Sequence, residues 1–421
     1  MRRICLLSIA AISLALALQA ARRPHYGGTL RMETRRSWQT VDPKSFDQEL
    51  SGAVFETLVG WDLRWGQRLR LVPVLATVWQ ADAVRHTVAY VPRQKVILHS
   101  GATWEPDLAP FTDQPDEMAL ARNAIAVKTA DGQFVGTGPF KVAKWDAGKS
   151  LTLAWHEAYW GPRPYLDSIE VRMGRSLRDQ ALDFDVGQAD VIEVSPADVR
   201  RLRQRGATIA LTQPTATLAL VFDAARPAPD AVREALALSI NREAIHSVIL
   251  QRTGEIAGSL LPQWVSGYAF LFPVTRDLTR ARQLAAKAEP LLFGYDHDDA
   301  LLRAIAERVA VNASEAGVTL RTSDSSVQVR LVRLSISAPD ASLALADLAQ
   351  DLNVVQASLP AGLRPYDRER TLLAGFHVIP LFHLPRAYEL SPRVKNWPQA
   401  GGEASTLADV WLSPERAGDH P

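Results

Sequence analysis

Five consecutive residues, Tyr295-Asp296-His297-Asp298-Asp299, carry the oxygen and imidazole groups that metal sites use. They stand between an apolar run, Leu291-Leu292-Phe293, and a helical pattern that begins at Leu301. An Asp there accepts backbone N–H bonds and complements the helix N-terminus, so the spacing predicts a cap and no metal. His377 and His383 share one face of an extended run but stand too far apart to hold one ion, and read as core or rim histidines. Trp104, and the pair Trp264 and Tyr268 after Leu261-Pro262, offer broad apolar area with little rotamer entropy to lose, which suits a ligand wall. Core packing is the alternative for Trp104, and the expected one for Trp145, Trp155 and Trp160. The chain has no Gly-x-Ser-x-Gly elbow, no His-Glu-x-x-His and no phosphate loop. The reading is therefore not an enzyme, with no cofactor; a secreted hydrolase using two distant carboxylates is the alternative class.

The start of the chain sets the compartment. Met1-Arg2-Arg3 precedes an apolar run from Ile4 to Leu18, too short to span a bilayer comfortably but suited to a secretory leader, with cleavage expected after Ala20 and retention as a signal anchor the alternative. Cys5, the single cysteine, lies inside that leader, so the mature chain would form no disulfide or thiolate site and carry no lipid anchor. A soluble periplasmic or extracellular protein follows as the expectation. Formal net charge is +1 over 421 residues, and losing Arg2 and Arg3 lowers it by two to −1. That balance argues against nucleic-acid binding. A chain of this length exceeds one core, which predicts two lobes.

Local patterns place the elements. Gly27-Gly28 followed by Thr29 to Met32 predicts a strand, and Leu50, Val54, Phe55 and Leu58 share a face of a helix expected over 48–59. Thr87 to Tyr90 and Lys95 to Leu98 read as paired hairpin strands. Gly136-Thr137-Gly138-Pro139-Phe140 opens a run of three alternating strands reaching Val171. Thr217 to Asp223 reads as a crossover between lobes, with Phe222 and Asp223 as hinge residues. Beyond it, helices from Asp230, Leu278 and Leu301 alternate with strands at Leu291 and Val318, the rhythm of an α/β lobe. Phe376 to Phe382 predicts a buried strand that returns the chain to the first lobe.

In this order the patterns resemble the family 5 extracellular solute-binding proteins, the oligopeptide, dipeptide and nickel-binding receptors of ABC importers. The resemblance rests on Gly27-Gly28-Thr29-Leu30, Phe55-Glu56-Thr57-Leu58-Val59, Gly136-Thr137-Gly138-Pro139-Phe140, Tyr159-Trp160-Gly161, Val232 to Arg242 and Ile379-Pro380-Leu381-Phe382-His383. It implies an α/β, two-lobed periplasmic-binding-protein fold of class II type, with mixed sheets and a ligand cleft between lobes. Lobe I would comprise 27–218 plus 362–421, with a reduced subdomain around 80–135, and lobe II 219–361. The implied partners are a peptide or other small-molecule ligand and an ABC permease in the inner membrane, met by a monomer. Peptide binders of the family carry a Trp-x-x-Asp-Tyr-x-Asp-Pro type segment whose first Asp pairs with the peptide's amino terminus. Leu334-Ser335-Ile336-Ser337-Ala338-Pro339-Asp340 lacks that Asp and that Trp, so a degenerate member with a structural or signalling role stays open beside the peptide reading.

Overall fold

Gly27 and Gly28, at φ +109° and +90°, turn the chain into its first strand, a conformation in which a Cβ would be strained. The computed structural model describes residues 23–414 apart from 44–45, 47, 63–69, 83, 85–86, 107–117, 131, 269, 287, 353–362 and 399–405. The leader read over 1–20, with Cys5, lies outside the described residues. Contacts divide the chain into two units, one of residues 1–193 with 388–421 and the other of 194–387.

In the first unit, β1 (Thr29–Glu33) is followed by a short helix, Gln48–Val54, and by four strands: β2 (Val59–Asp62), β3 (Arg70–Pro73), β4 (Ala76–Asp82) and β5 (Thr87–Pro92). The expected helix over 48–59 stops at Val54. Its exposed carbonyls are claimed from outside: Gly138 N–H donates to Val54 O, and Ile125 N–H to Glu56 O. Leu50, Val54, Phe55 and Leu58 are nonetheless all buried. β5 pairs with β4, not with 95–98, which instead meets Thr103 through an isolated bridge at Ile97. The strands β6 (Val127–Lys128) and β7 (Phe134–Val135) form a further small pair. Leu58, Leu75, Val88, Leu98, Trp104 and Leu120 close a small core over this region.

The main sheet of the first unit is mixed. β8 (Phe140–Asp146), β9 (Ser150–Trp155) and β10 (Ser168–Arg172) are antiparallel neighbours, β1 lies parallel to β10, and β11 (Val191–Glu193) lies parallel to β1. Alternation of buried Leu151, Leu153, Ile169 and Val171 with more exposed neighbours fixes the register of these strands.

The second unit is built on β12 (Thr208–Phe222), β13 (Glu255–Ile256), β14 (Leu291–Gly294), β15 (Leu320–Thr322), β16 (Val329–Ser335) and β17 (Val378–Leu390), in the order β15-β14-β16-β12-β17 with β13 beside β17. Helices Asp230–Ser239, Ala300–Glu315 and Ala341–Asp351 bury apolar stripes in one core with Leu218, Leu220, Phe293, Leu331 and Phe382. Asp299 caps the second of these helices, accepting from Leu301 N and Leu302 N.

The division of the chain differs from the expected crossings after 218 and 361. Ala216 to Phe222 pairs residue by residue with β16, so the apolar run read as a crossover is a core strand of the second unit. Phe222 and Asp223 therefore sit inside that unit, where Phe222 N–H donates to His377 O and Asp223 N–H to Gln328 O. The chain passes from the first unit to the second after Glu193, and returns within β17, whose Tyr388–Leu390 pair with β11. β18 (Val394–Lys395) and β19 (Trp411–Leu412) then pair near the C-terminus. Among the described residues no helix is long and apolar enough to cross a membrane.

Candidate functional site

Each unit carries a buried carboxylate that fixes aromatic side chains. In the second unit this is Glu369, on the helix Pro365–Leu373, with no exposed surface. One of its oxygens accepts from Leu260 N and, at 3.0 Å, from Leu261 N; the other accepts from the Tyr268 hydroxyl at 2.5 Å. Burial pushes this carboxyl up and the three donors oppose the shift. Those bonds pin the Leu260-Leu261-Pro262 turn, from which the short helix Gln263–Ser266 carries Trp264, before Gly267 at φ +76° turns the chain toward Tyr268. Trp264 Nε1–H donates to Pro214 O at 2.9 Å. Tyr366, one turn of helix before Glu369, meets Tyr268 edge-to-face at 5.2 Å and remains 42 % exposed. Phe270, 61 % exposed, lies against Gly258, where a Cβ would come within 2.2 Å of the ring.

Trp264 and Tyr268, singled out from the sequence, thus both stand on the segment after the turn that Glu369 pins, the aromatic group of this unit. Tyr366 and Glu369 join Tyr268 without a sequence signal, since Glu369 and Tyr268 lie 101 residues apart in the chain, and Phe270 follows on the same segment. The indole N–H and the Tyr268 hydroxyl are both engaged within the unit. Trp104 belongs to the first unit and is buried in its small core, where it packs.

In the first unit Glu56 accepts from Thr137 Oγ1 at 2.9 Å, Tyr159 Oη at 2.8 Å and Trp160 Nε1 at 2.8 Å, and the Arg93 guanidinium stacks 3.9 Å above the Trp160 ring. The three quoted motifs around Glu56, Thr137 and Tyr159-Trp160 are therefore one hydrogen-bonded unit. Two histidines clamp the same loop: His99 Nε2 lies 3.0 Å and His156 Nδ1 3.3 Å from Gly138 O, with the rings at right angles. Gly136 N–H donates to His99 Nδ1, which fixes a neutral ring with its proton on Nε2.

This clamp has a pH signature. Burial lowers His99 to about 4, against 6.5 for a free histidine. The stability it contributes is full above the unfolded value and is lost as pH falls from about 6.5 through about 4. Glu33, raised by burial to about 7, has the opposite sign: its contribution is full below about 4.5 and is lost as pH rises through about 7. The variant His99→Gln isolates the first effect. In urea unfolding its deficit against the parent is expected to be largest at pH 7 and to shrink by about 1.4 kcal/mol per pH unit between 6.5 and 4. A deficit independent of pH would contradict the neutral clamp.

The remaining sequence candidates are structural. His383 is buried and lies 3.0 Å from Ser259 O, while His377 Nε2 lies 3.3 Å from an Arg233 nitrogen. His297 meets Asp324 at 3.2 Å, and among the described residues no group of three His, Cys, Asp or Glu side chains is placed to hold a metal ion. Asp340 caps the helix Ala341–Asp351 through Ser342 N and Leu343 N.

The model of bacterial extracellular solute-binding proteins, family 5 Middle, matches residues 89–340. Peptide transport periplasmic protein SapA of Salmonella typhimurium is 32 % identical over 137 residues, 32 % of this chain and 25 % of that protein. The matched stretch thus spans about a quarter of the length of that relative. Among solved structures, NikA from Brucella suis in complex with Fe(III)-EDTA superposes with a TM-score of 0.73 at 18 % identity, covering 91 % of this chain and 100 % of that one. The dipeptide binding protein from Pseudoalteromonas sp. SM9913 in complex with Met-Leu gives 0.73 at 15 % identity, over 91 % and 100 %. At these identities the superpositions speak for the fold.

Proposed function

This chain belongs to the bacterial extracellular solute-binding proteins of family 5, and from that membership we propose that it is the substrate-binding component of an ABC importer. It captures a peptide or another small polar solute outside the inner membrane and delivers it to a permease there. It acts as a receptor and performs no chemistry on its cargo. The observation that carries the choice of ligand is the Trp264, Tyr268, Phe270 and Tyr366 set, in which the Trp264 indole N–H and the Tyr268 hydroxyl are engaged internally and Glu369 fixes Tyr268 and the turn that precedes Trp264. Preorganised aromatic surface binds apolar side chains with little entropy lost on either side. Asp340, the acid in the stretch 334–340 that stands nearest to the peptide binders' amino-pairing segment in the sequence, accepts from Ser342 N and Leu343 N in a helix cap. Side-chain packing therefore outweighs recognition of the peptide's amino group. The peptide transport named for SapA and the Met-Leu held by the Pseudoalteromonas protein agree with this class.

Thermal unfolding of the purified chain with Met-Leu and with tripeptides bearing aromatic side chains tests the reading. A ligand at a hundred times its Kd stabilises by about 2.7 kcal/mol, a shift of several degrees. Tyr366→Ala, which removes a ring already 42 % exposed, is expected to weaken peptide binding about tenfold while leaving the ligand-free melting point nearly unchanged. Absence of any shift across the peptides would refute the ligand class.

A further inference from the structure

The second unit opens on the most arginine-dense stretch of the described chain. The helix Val199–Gln204 and the turn after it place Arg200, Arg201, Arg203 and Arg205 within six residues, all exposed. Its outer side borders an open depression of about 480 Å3 lined by Ala197, Asp198, Arg200, Arg201, Gln204 and Gln251. Gln251 is followed by exposed Arg252, both at positive φ (49° and 65°) in a tight turn. Asp198 is the one carboxylate of that lining, and its Oδ1 is occupied by Arg201 at 2.8 Å. Among the described residues Arg200, Arg205 and Arg252 have no ion-pair partner, and Arg203 reaches a backbone carbonyl, Ile209 O. Four exposed guanidinium groups thus stand within six residues, two of them, Arg200 and Arg201, lining the depression with Asp198, and a fifth, Arg252, follows the lining residue Gln251, in a chain whose formal net charge is +1.

We infer that Arg200, Arg201, Arg203, Arg205 and Arg252 form a docking surface for anionic phospholipid headgroups. The chemistry of the patch selects this occupant over an acidic protein. A protein interface is built around a desolvated apolar or aromatic centre, and the large apolar side chain exposed beside this patch among the described residues is Val248, whose carbonyl accepts from Gln251, a single aliphatic group and no such centre. Phosphate diesters need no such centre: guanidinium groups engage them in a bidentate manner, and the attraction adds over the charges brought to the surface. The inference rests on the proposed role at a membrane permease, which brings the protein repeatedly to a phospholipid surface. There, weak reversible attraction shortens the search for the permease without holding the receptor permanently.

Sedimentation with vesicles tests it. The full chain is expected to bind vesicles containing phosphatidylglycerol, to ignore pure phosphatidylcholine, and to be released as salt shortens the screening length. Each arginine near an anionic surface is worth about fivefold in partitioning, so the triple variant Arg200→Gln, Arg203→Gln, Arg205→Gln should bind roughly a hundredfold more weakly. A control, Arg303→Gln with Arg308→Gln on the helix Ala300–Glu315, should bind as the parent does. Equal binding to phosphatidylcholine, or triple-variant binding equal to the parent's, overturns the proposal. So does release by inorganic phosphate well beyond that by chloride of equal ionic strength, which would mark a site for the free anion. The Met-Leu thermal shift, measured on the same triple variant, separates the two readings. A preserved shift without vesicle binding by the parent removes the docking surface alone, and vesicle binding without a shift removes the peptide reading alone.

Discussion

Glu369→Ala is expected to lower unfolding free energy by about 3–5 kcal/mol. The carboxylate has no exposed surface and is the acceptor for Leu260 N–H, Leu261 N–H and the Tyr268 hydroxyl. Truncation leaves two buried backbone donors and one phenol without a partner, and unmade buried hydrogen bonds cost about 1–3 kcal/mol each. Relief from burying a charge offsets part of this, because desolvation already raises the Glu369 carboxyl. Glu369→Gln keeps a carbonyl acceptor but turns an amide toward donors, so its loss should be intermediate. Functionally the two variants should lose peptide affinity beyond what stability explains, because the turn carrying Trp264 is no longer fixed. Urea unfolding and peptide titration of both variants check the order parent, Gln, Ala; an Ala variant as stable as its parent would show that Glu369 holds nothing.

The second large effect is steric. A Cβ on Gly136 would lie 2.1 Å from Val54 O and 2.8 Å from the Phe55 ring, and one on Gly138 would lie 2.5 Å from Ala53 O. Neither glycine has a positive φ, so the requirement is space and not conformation. The close approach lets Gly138 N–H donate to Val54 O at 3.1 Å, the contact that ends the helix Gln48–Val54. Gly136→Ala must push the Gly-Thr-Gly loop away from that helix, breaking the Glu56 and His99 bonds with it. A loss of more than about 3 kcal/mol is expected, or failure to accumulate as folded protein. Gly52→Ala, in the same helix with nothing within 4 Å of the added atom, serves as the control and should gain up to about 1 kcal/mol. Matching behaviour of the two variants would contradict the packing argument.

What the sequence disclosed depends on the range of the interaction. The strands from Phe140 to Val171 were legible because their apolar residues alternate and their partners follow within a few residues. Asp299 was legible as a cap because its acceptors' partners lie two and three residues ahead. Thr217 to Asp223 misled because a central strand of a mixed sheet and a crossover are equally apolar; its partner, β16, begins more than a hundred residues later. The helix Gln48–Val54 reads too long for the same reason, since the donor to its last carbonyl comes from Gly138 and the donor to Glu56 O, just beyond it, from Ile125. Half of the aromatic group was visible through its position after Leu261-Pro262. Tyr366 and Glu369 were not, because the helix that carries them reads as an ordinary charged surface helix, Pro365–Leu373, until the fold sets it beside Tyr268.

A receptor for peptides must be able to hold one. Native mass spectrometry of the chain, purified without denaturation from its own export compartment, should reveal a population heavier than the bare polypeptide. The added mass should match short peptides rich in apolar side chains, and it should be lost on gentle activation. A single bare mass, with no added mass after incubation with a peptide mixture, would contradict a receptor for peptides.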